Sequence, residues 1–282
     1  MALQDELKKV SRDYGVRKAQ YVFSIGERDL DLVLDRLRSR VRKSAPLPQP
    51  QDTAEEIFLP QDITINCHVG AGGFANLDII AAVRSERAVL FDINTRQAEM
   101  WEVVERVIAQ SDNRSEFVEK FTLELISMRA IHGDADLIGM KVREEMKRGL
   151  SWLGSDKNFS YIKELFAEGK IGWICLDITD KNGFSELFWV LKNEGCSVQT
   201  FYRCNIPEFL KHREDVFTGR NRIPTESMEQ LRETTSAICD SNTVIIDADY
   251  KWEESKYFVT VKALSDALKV SLPTQERWGR GL

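Results

Sequence analysis

Long apolar runs are missing from this chain: no stretch approaches 18 consecutive apolar residues, so no membrane-spanning helix is expected. An excess of basic charge is missing too. A net charge of −6 and a pI near 5.4 give no electrostatic footprint for nucleic acid. The five cysteines (Cys67, Cys175, Cys196, Cys204, Cys239) are odd in number, widely spaced and contain no CxxC pair. That argues against a disulfide framework and a cysteine-based zinc site, and for buried free thiols in a reducing compartment. HExxH spacing is absent and no metal is expected. The lack of GxSxG and of GxxxxGK[ST] disfavours hydrolase and P-loop chemistry. The opening MALQDELKKVSRDYG is charged and has no apolar core, so it does not read as a secretory signal. A cytoplasmic location is the expectation, although an effector exported without a cleavable signal would look the same.

What is present is ordinary globular composition over a length that allows one large domain or two small ones. Residues 1–42 read as two helices, the second with Leu30, Leu32, Val33, Leu34 and Leu37 on an apolar face. Lys43–Thr53, KSAPLPQPQDT, gathers three of the seven prolines and reads as a linker. Residues 1–53 are therefore an appendage that packs on the main domain or covers its site. Residues 54–282 form that domain, with a helical insertion over about 111–168.

Asp62–Asn94, DITINCHVGAGGFANLDIIAAVRSERAVLFDIN, is the stretch around which the domain is built. Ile63, Ile65 and Val69 mark a strand, Gly70-Ala71-Gly72-Gly73 breaks it, and Phe74–Val83 has helical spacing. Ala88–Phe91 is a second strand, closed by Asp92. In this βαβ layout glycines let backbone approach a ligand, a helix N-terminus offers N–H groups, and the acid takes ribose hydroxyls. The gap from Gly70 to Asp92 is close to the roughly 20 residues expected. Helices follow at Arg96–Gln110, after the turn Asp112–Ser115, and at Asn158–Glu168; residues 129–149 read as charged and helical. Ile171–Leu176 and Val198–Tyr202 are further strands, flanking a helix at Phe184–Asn193. Strands that alternate with helices imply a mostly parallel sheet covered on both faces, with ligand at the strands' carboxyl ends. Gly70–Gly73, Asp92, Asp177 and Asn205 all fall at such ends. The chain finishes differently, with Thr243–Ile246 and Tyr257–Val261 too close for a helical crossover and better read as an antiparallel hairpin.

Four segments carry a resemblance: VGAGGFANLDIIAAVRSERAVLFDIN, SDNRSEFVEKF, GLSWLGSDKNFSYIKELF and VQTFYRCNIPEFL. Over about residues 63–210 the chain resembles a group of bacterial proteins related to class I S-adenosylmethionine-dependent methyltransferases. The first and last segments also fit general methyltransferase motifs, and the middle two are specific to the group. The resemblance implies an α/β Rossmann-like class I methyltransferase fold, with S-adenosyl-L-methionine as cofactor. Gly70, Ala71, Gly72 and Gly73 would line its methionine and ribose side, Asp92 and Ile93 its ribose, and Asp177 its adenine. Asn205 would occupy the position after the fourth strand that holds substrate or methyl donor. Where such enzymes carry an acid before the glycines, this chain has Asn66, Cys67 and His68.

Plainer roles stand beside these. Asp92 could cap the following helix through Thr95 or Arg96, and Gly72 and Gly73 could serve helix–strand packing alone. Of Asp177 and Asp180, one could cap the helix at Phe184 while the other meets ligand. Asn205 could bond its own loop. His68 is the best placed of three histidines to act as a base, or else is a satisfied buried group. Trp152 and Trp252 could cover a ligand or belong to the core. The expectation is an S-adenosylmethionine-binding protein, a methyltransferase for a small molecule or natural product, with no nucleic-acid or membrane partner and with homo-oligomerisation left open. The alternatives are a catalytically degenerate binding or regulatory protein of the same fold and an NAD(P)-dependent oxidoreductase.

Overall fold

The computed structural model describes residues 3–16, 30–44, 64–127, 140, 142–210, 223–251, 256–262 and 267–268. Six strands form one sheet: β1 (Ile65–Ala71), β2 (Arg87–Asp92), β3 (Ile171–Cys175), β4 (Cys196–Cys204), β5 (Val244–Lys251) and β6 (Lys256–Lys262). Their order is β3-β2-β1-β4-β5-β6. The first five run parallel and β6 pairs antiparallel with β5, from Ile245 opposite Lys262 to Lys251 opposite Lys256. This is a Rossmann-like arrangement closed by the expected antiparallel strand. The order reverses between β1 and β4, where a doubly wound sheet opens a crevice at its carboxyl ends.

Strand alternation sorts side chains onto two faces. Val89 and Phe91 of β2 enter one core and Ala88 and Leu90 the other. The first core gathers α1 (Leu3–Val10), α2 (Leu30–Ser44), α7 (Lys181–Asn193) and α9 (Pro224–Ile238). The second is built by α4 (Thr95–Ala109), α5 (Arg114–Ser127) and α6 (Asp156–Ala167), which lie between β2 and β3 in the chain. α3 (Ala75–Val83) has no solvent-facing residue and feeds both: Ile79 and Val83 enter the first core, Leu77 and Ile80 the second. α8 (Ile206–Leu210) is one short turn after β4.

The helix starts follow capping chemistry. Asn94 caps α4 by accepting from the Arg96 N–H, Ser155 caps α6 through the Asn158 N–H, and Asp180 caps α7 through the Gly183 N–H. Asn113, in the expected turn, accepts from the Glu116 N–H at the start of α5. The sequence reading passed over α9, although Pro224 at its first turn and the spacing of Met228, Leu231, Thr235 and Ile238 are helix signals. His132, His212 and Trp252 lie outside the described residues, as does most of 129–149.

The N-terminal segment packs on the domain. α1 lies along the free edge of β3, where the Gln4 side-chain amide bonds the Trp173 carbonyl at 3.0 Å and the Trp173 N–H at 2.8 Å. The side chain takes the place of a neighbouring strand. Gly172 makes room, since a β-carbon there would sit 2.4 Å from Leu7 Cδ1. Residues 11–16 then run along the ends of β3 and β2: the Arg12 N–H donates to the Cys175 carbonyl and the Thr95 N–H to that of Val16.

Candidate functional site

The glycine turn is built from beneath. Gly70, next to last in β1, lies opposite Leu90 and Tyr202. A β-carbon on it would fall 1.8 Å from Asn76 Oδ1 and 2.6 Å from His68 Nε2. Glycine is therefore required so that this bond can pass under the turn. Asn76, fully buried in α3, donates to the carbonyls of Ala71 (3.0 Å) and Gly73 (2.8 Å), so its Oδ1 faces His68. His68 Nε2 then carries the proton and donates to Asn76 Oδ1 at 2.9 Å, while Nδ1 accepts from the Thr200 hydroxyl at 2.7 Å. Burial pushes the His68 pKa down to about 4, although the Asn76 bond opposes it. The ring is neutral and holds the turn in place. To act as a base it would have to give up the Thr200 bond at Nδ1 and reach solvent.

Gly72 differs from Gly70. It has φ +83°, a left-handed conformation that favours glycine, and its missing side chain faces open space. Its N–H donates to the Phe91 carbonyl at 3.1 Å, which locks the turn to the end of β2. Gln97 on α4 donates from Nε2 to the Gly72 carbonyl at 3.2 Å, and its buried Oε1 has no partner among the described residues. Gln97 is a residue that the sequence reading missed; its place three residues after a cap suggests a capping role that it does not play.

Asp92 stands next to this turn. Asn94 caps α4, so Asp92 is spared that task; its Oδ1 accepts from the Asn94 N–H at 2.8 Å. Burial pushes its pKa up to about 7, against the pull of the Asn94 and Ile93 N–H groups. Ile93 is half-buried and its carbonyl accepts from the Cys175 thiol. Asp92 pairs in register with Cys175, which sets Asp177 just beyond the neighbouring strand end. Asp177 Oδ1 accepts from the N–H and the hydroxyl of Thr179, both at 2.9 Å, while Asp180 caps α7. At a strand spacing of about 4.8 Å, the glycine turn, Asp92 and Asp177 line up within roughly 10 Å.

Asn205 lies across the crevice, half-buried after β4. Cys204 before it has φ +53°, a left-handed backbone on a residue with a side chain. Such strain persists only where the surroundings impose it. Here Arg203 anchors the strand end: it is fully buried and grips Asp247 of β5 through Nε (2.8 Å) and Nη2 (2.7 Å). The sheet thus brings Gly70–Gly73, Asp92, Ile93, Asp177 and Asn205 to one rim, with His68 beneath it. Trp152 is not among them. It is fully buried against Phe74, Phe117 and Phe159 in the second core.

Chemically, the rim offers a backbone turn with open space, a carboxylate poised near neutrality and an amide across the crevice. Among the described residues no group of His, Cys, Asp or Glu is placed to hold a metal ion, and no helix is long and apolar enough to cross a membrane. No curated protein matches the chain. Residues 61–260, from just before β1 into β6, match the family described as "Domain of unknown function (DUF7790)", and over that majority of its length the chain belongs to this family.

Proposed function

We propose that the chain binds S-adenosylmethionine at the strand ends and passes the methyl group to a small molecule. The observation that carries this reading is the bond from the Gly72 N–H to the Phe91 carbonyl, one residue before Asp92. An open, left-handed glycine at the start of α3 is tied by one hydrogen bond to the strand whose end carries the carboxylate. The antiparallel β6 beside β5 supports the class I methyltransferase fold over a repeated mononucleotide unit.

The residues present fit the cofactor. The Gly70–Gly73 backbone would take its methionine and ribose side, Asp92 would accept from the two ribose hydroxyls, and Asp177 would meet the adenine. When bound, the sulfonium supplies an electrophilic methyl carbon. The work left to the chain is alignment: Asn205 would hold the acceptor in line, and a well-oriented pair can lower a barrier by about 7–11 kcal/mol without a strong base. That suits a site where His68 is neutral and fully engaged.

A second reading, a binding protein that keeps the fold without turnover, is favoured by the strand before the turn. Asn66 is exposed there and His68 sealed, so that segment offers no carboxylate to the donor's amino group. Titration calorimetry and thermal melting with S-adenosylmethionine, S-adenosylhomocysteine, NAD and NADP test both. Ligand at a hundred times Kd stabilises the native state by about 2.7 kcal/mol, so binding of the two sulfonium-cycle ligands should raise Tm visibly. A shift with NAD or NADP alone would overturn the proposal. Binding without methylation of any acceptor in a broad panel would favour the second reading.

A further inference from the structure

The segment GLSWLGSDKNF is not used at the strand ends, and its geometry builds something else. Gly149–Ser155 winds into a tight loop: the Ser151 N–H donates to the Arg148 carbonyl and the Gly154 N–H to that of Ser151. A β-carbon on Gly154 would lie 2.0 Å from the Arg148 oxygen, so the winding depends on that glycine. Asp78 of α3 fixes the loop by accepting from the Trp152 N–H at 2.8 Å, and Asn158 donates to the Ser151 carbonyl at 3.0 Å. Held this way, the loop and the start of α6 form one wall of a pocket of about 400 Å³ at the C-terminal end of α3. Among the described residues its charged lining is Arg38 from α2, Arg84 and Lys157.

Arg84 closes α3 with φ +57° and ψ +49°, a position where glycine is the usual residue. An arginine kept in that conformation points to a use for its side chain. The guanidinium lies 4.6 Å from the centre of the Tyr161 ring and donates through Nη2 to Asn158 Oδ1 at 2.9 Å. It is thereby held still at the pocket with further donors to offer. Of the nearby acids, Asp156 beside Lys157 is engaged by Arg114 at 3.1 Å, and Glu86, two residues after Arg84, accepts from the Asn66 N–H at 3.0 Å. The volume lies within the range of small-molecule sites and exceeds what a simple inorganic ion needs.

We propose that this pocket binds a phosphorylated small molecule, with Arg84 and Lys157 on the phosphate and Arg38 adding charge. Arginine's planar fork and the point charge of lysine are both suited to phosphate oxygens. The site stands apart from the proposed cofactor site, at the opposite end of α3. Titration calorimetry on the full chain at low ionic strength, with pyrophosphate as probe and citrate as a polycarboxylate control, tests it. Pyrophosphate should bind, and Lys157→Gln and Arg84→Asn should each weaken it by roughly tenfold or more, the scale of one lost charge-assisted hydrogen bond. Lys157→Arg should restore binding. Asparagine tolerates the left-handed backbone, so Arg84→Asn should stay folded, and the exposed Lys157 gives an independent variant. The proposal is overturned by no pyrophosphate heat at millimolar concentration, or by equal affinity in wild type and variants, which would mean an adventitious ion only. Citrate binding as tight as pyrophosphate would overturn the phosphate assignment. S-adenosylhomocysteine affinity should be the same in wild type and Lys157→Gln, so either site can fail without the other.

Discussion

Gly70 and Gly149 offer a direct contrast between two glycines. A β-carbon at Gly70 meets Asn76 Oδ1 and His68 Nε2, whereas one at Gly149 meets nothing within 4 Å. Gly70→Ala should therefore destabilise by about 2–4 kcal/mol in urea unfolding, combining overpacking with a broken buried hydrogen bond, while Gly149→Ala should change little. Asp92 has a folded pKa near 7, above its ordinary value, so burying its charge costs stability as pH rises from about 4 to 7. Asp92→Asn keeps an acceptor for the Asn94 N–H and should stabilise the apo protein at pH 8 by about 1–2 kcal/mol, less than full linkage because the carboxylate is only half-buried. The same change should weaken S-adenosylhomocysteine by tenfold or so, and wild-type affinity should fall as pH drops below 7 and the carboxylate protonates. His68 has the opposite sign. Its folded pKa lies below that of the unfolded chain, so its contribution is full above pH 6.5 and is lost on the way down to 4, about 3 kcal/mol in all. Imidazole NMR should show one histidine still neutral at pH 5.5; a midpoint near 6.5 for all three would refute its buried, paired state.

Between elements, the junction of β4, β5 and β6 rests on one buried carboxylate. Despite burial, Arg203 and Lys262 hold the Asp247 carboxyl below its usual range, with Lys262 Nζ at 2.9 Å. Arg203→Met removes the bidentate partner, leaves Asp247 under-compensated and should cost about 3 kcal/mol in chemical unfolding. Most of the elements were legible in the sequence, because apolar spacing and punctuation are local. Asp62–Asn94 reads directly as strand, turn, helix and strand, and the helix read at Phe184–Asn193 ends at Asn193. The short connection before Tyr257 announced the antiparallel pairing. Of the rim, Gly70–Gly73, Asp92, Asp177 and Asn205 were legible as strand-end residues. What could not be read was which partner each polar group takes. Nothing local says that His68 faces Asn76, that Asn94 relieves Asp92 of capping, or that Arg203 finds Asp247, since these partners are set by strand register and helix placement.

On the scale of the whole molecule, the N-terminal segment is structural cladding. Leu3, Leu7 and Val10 belong to the same core as β1, and Gln4 and Ser11 satisfy backbone groups along the β3 edge. Removing residues 1–16 should lower Tm and, by baring an unpaired strand edge, cause concentration-dependent association in light scattering. That segment also ends against α4, because the Thr95 N–H bonds Val16. α3 joins the two cores. Its nine residues are all buried, the glycine bend precedes its first turn, and its last residue leads into Arg84. At 1.5 Å per residue the two ends are about 13 Å apart. The two proposed ligands would share this helix. Whatever factor a phosphate at Arg84 imposes on cofactor affinity at Gly72, the cofactor must impose the same factor on the phosphate, so a single helix would make each occupant a gauge of the other.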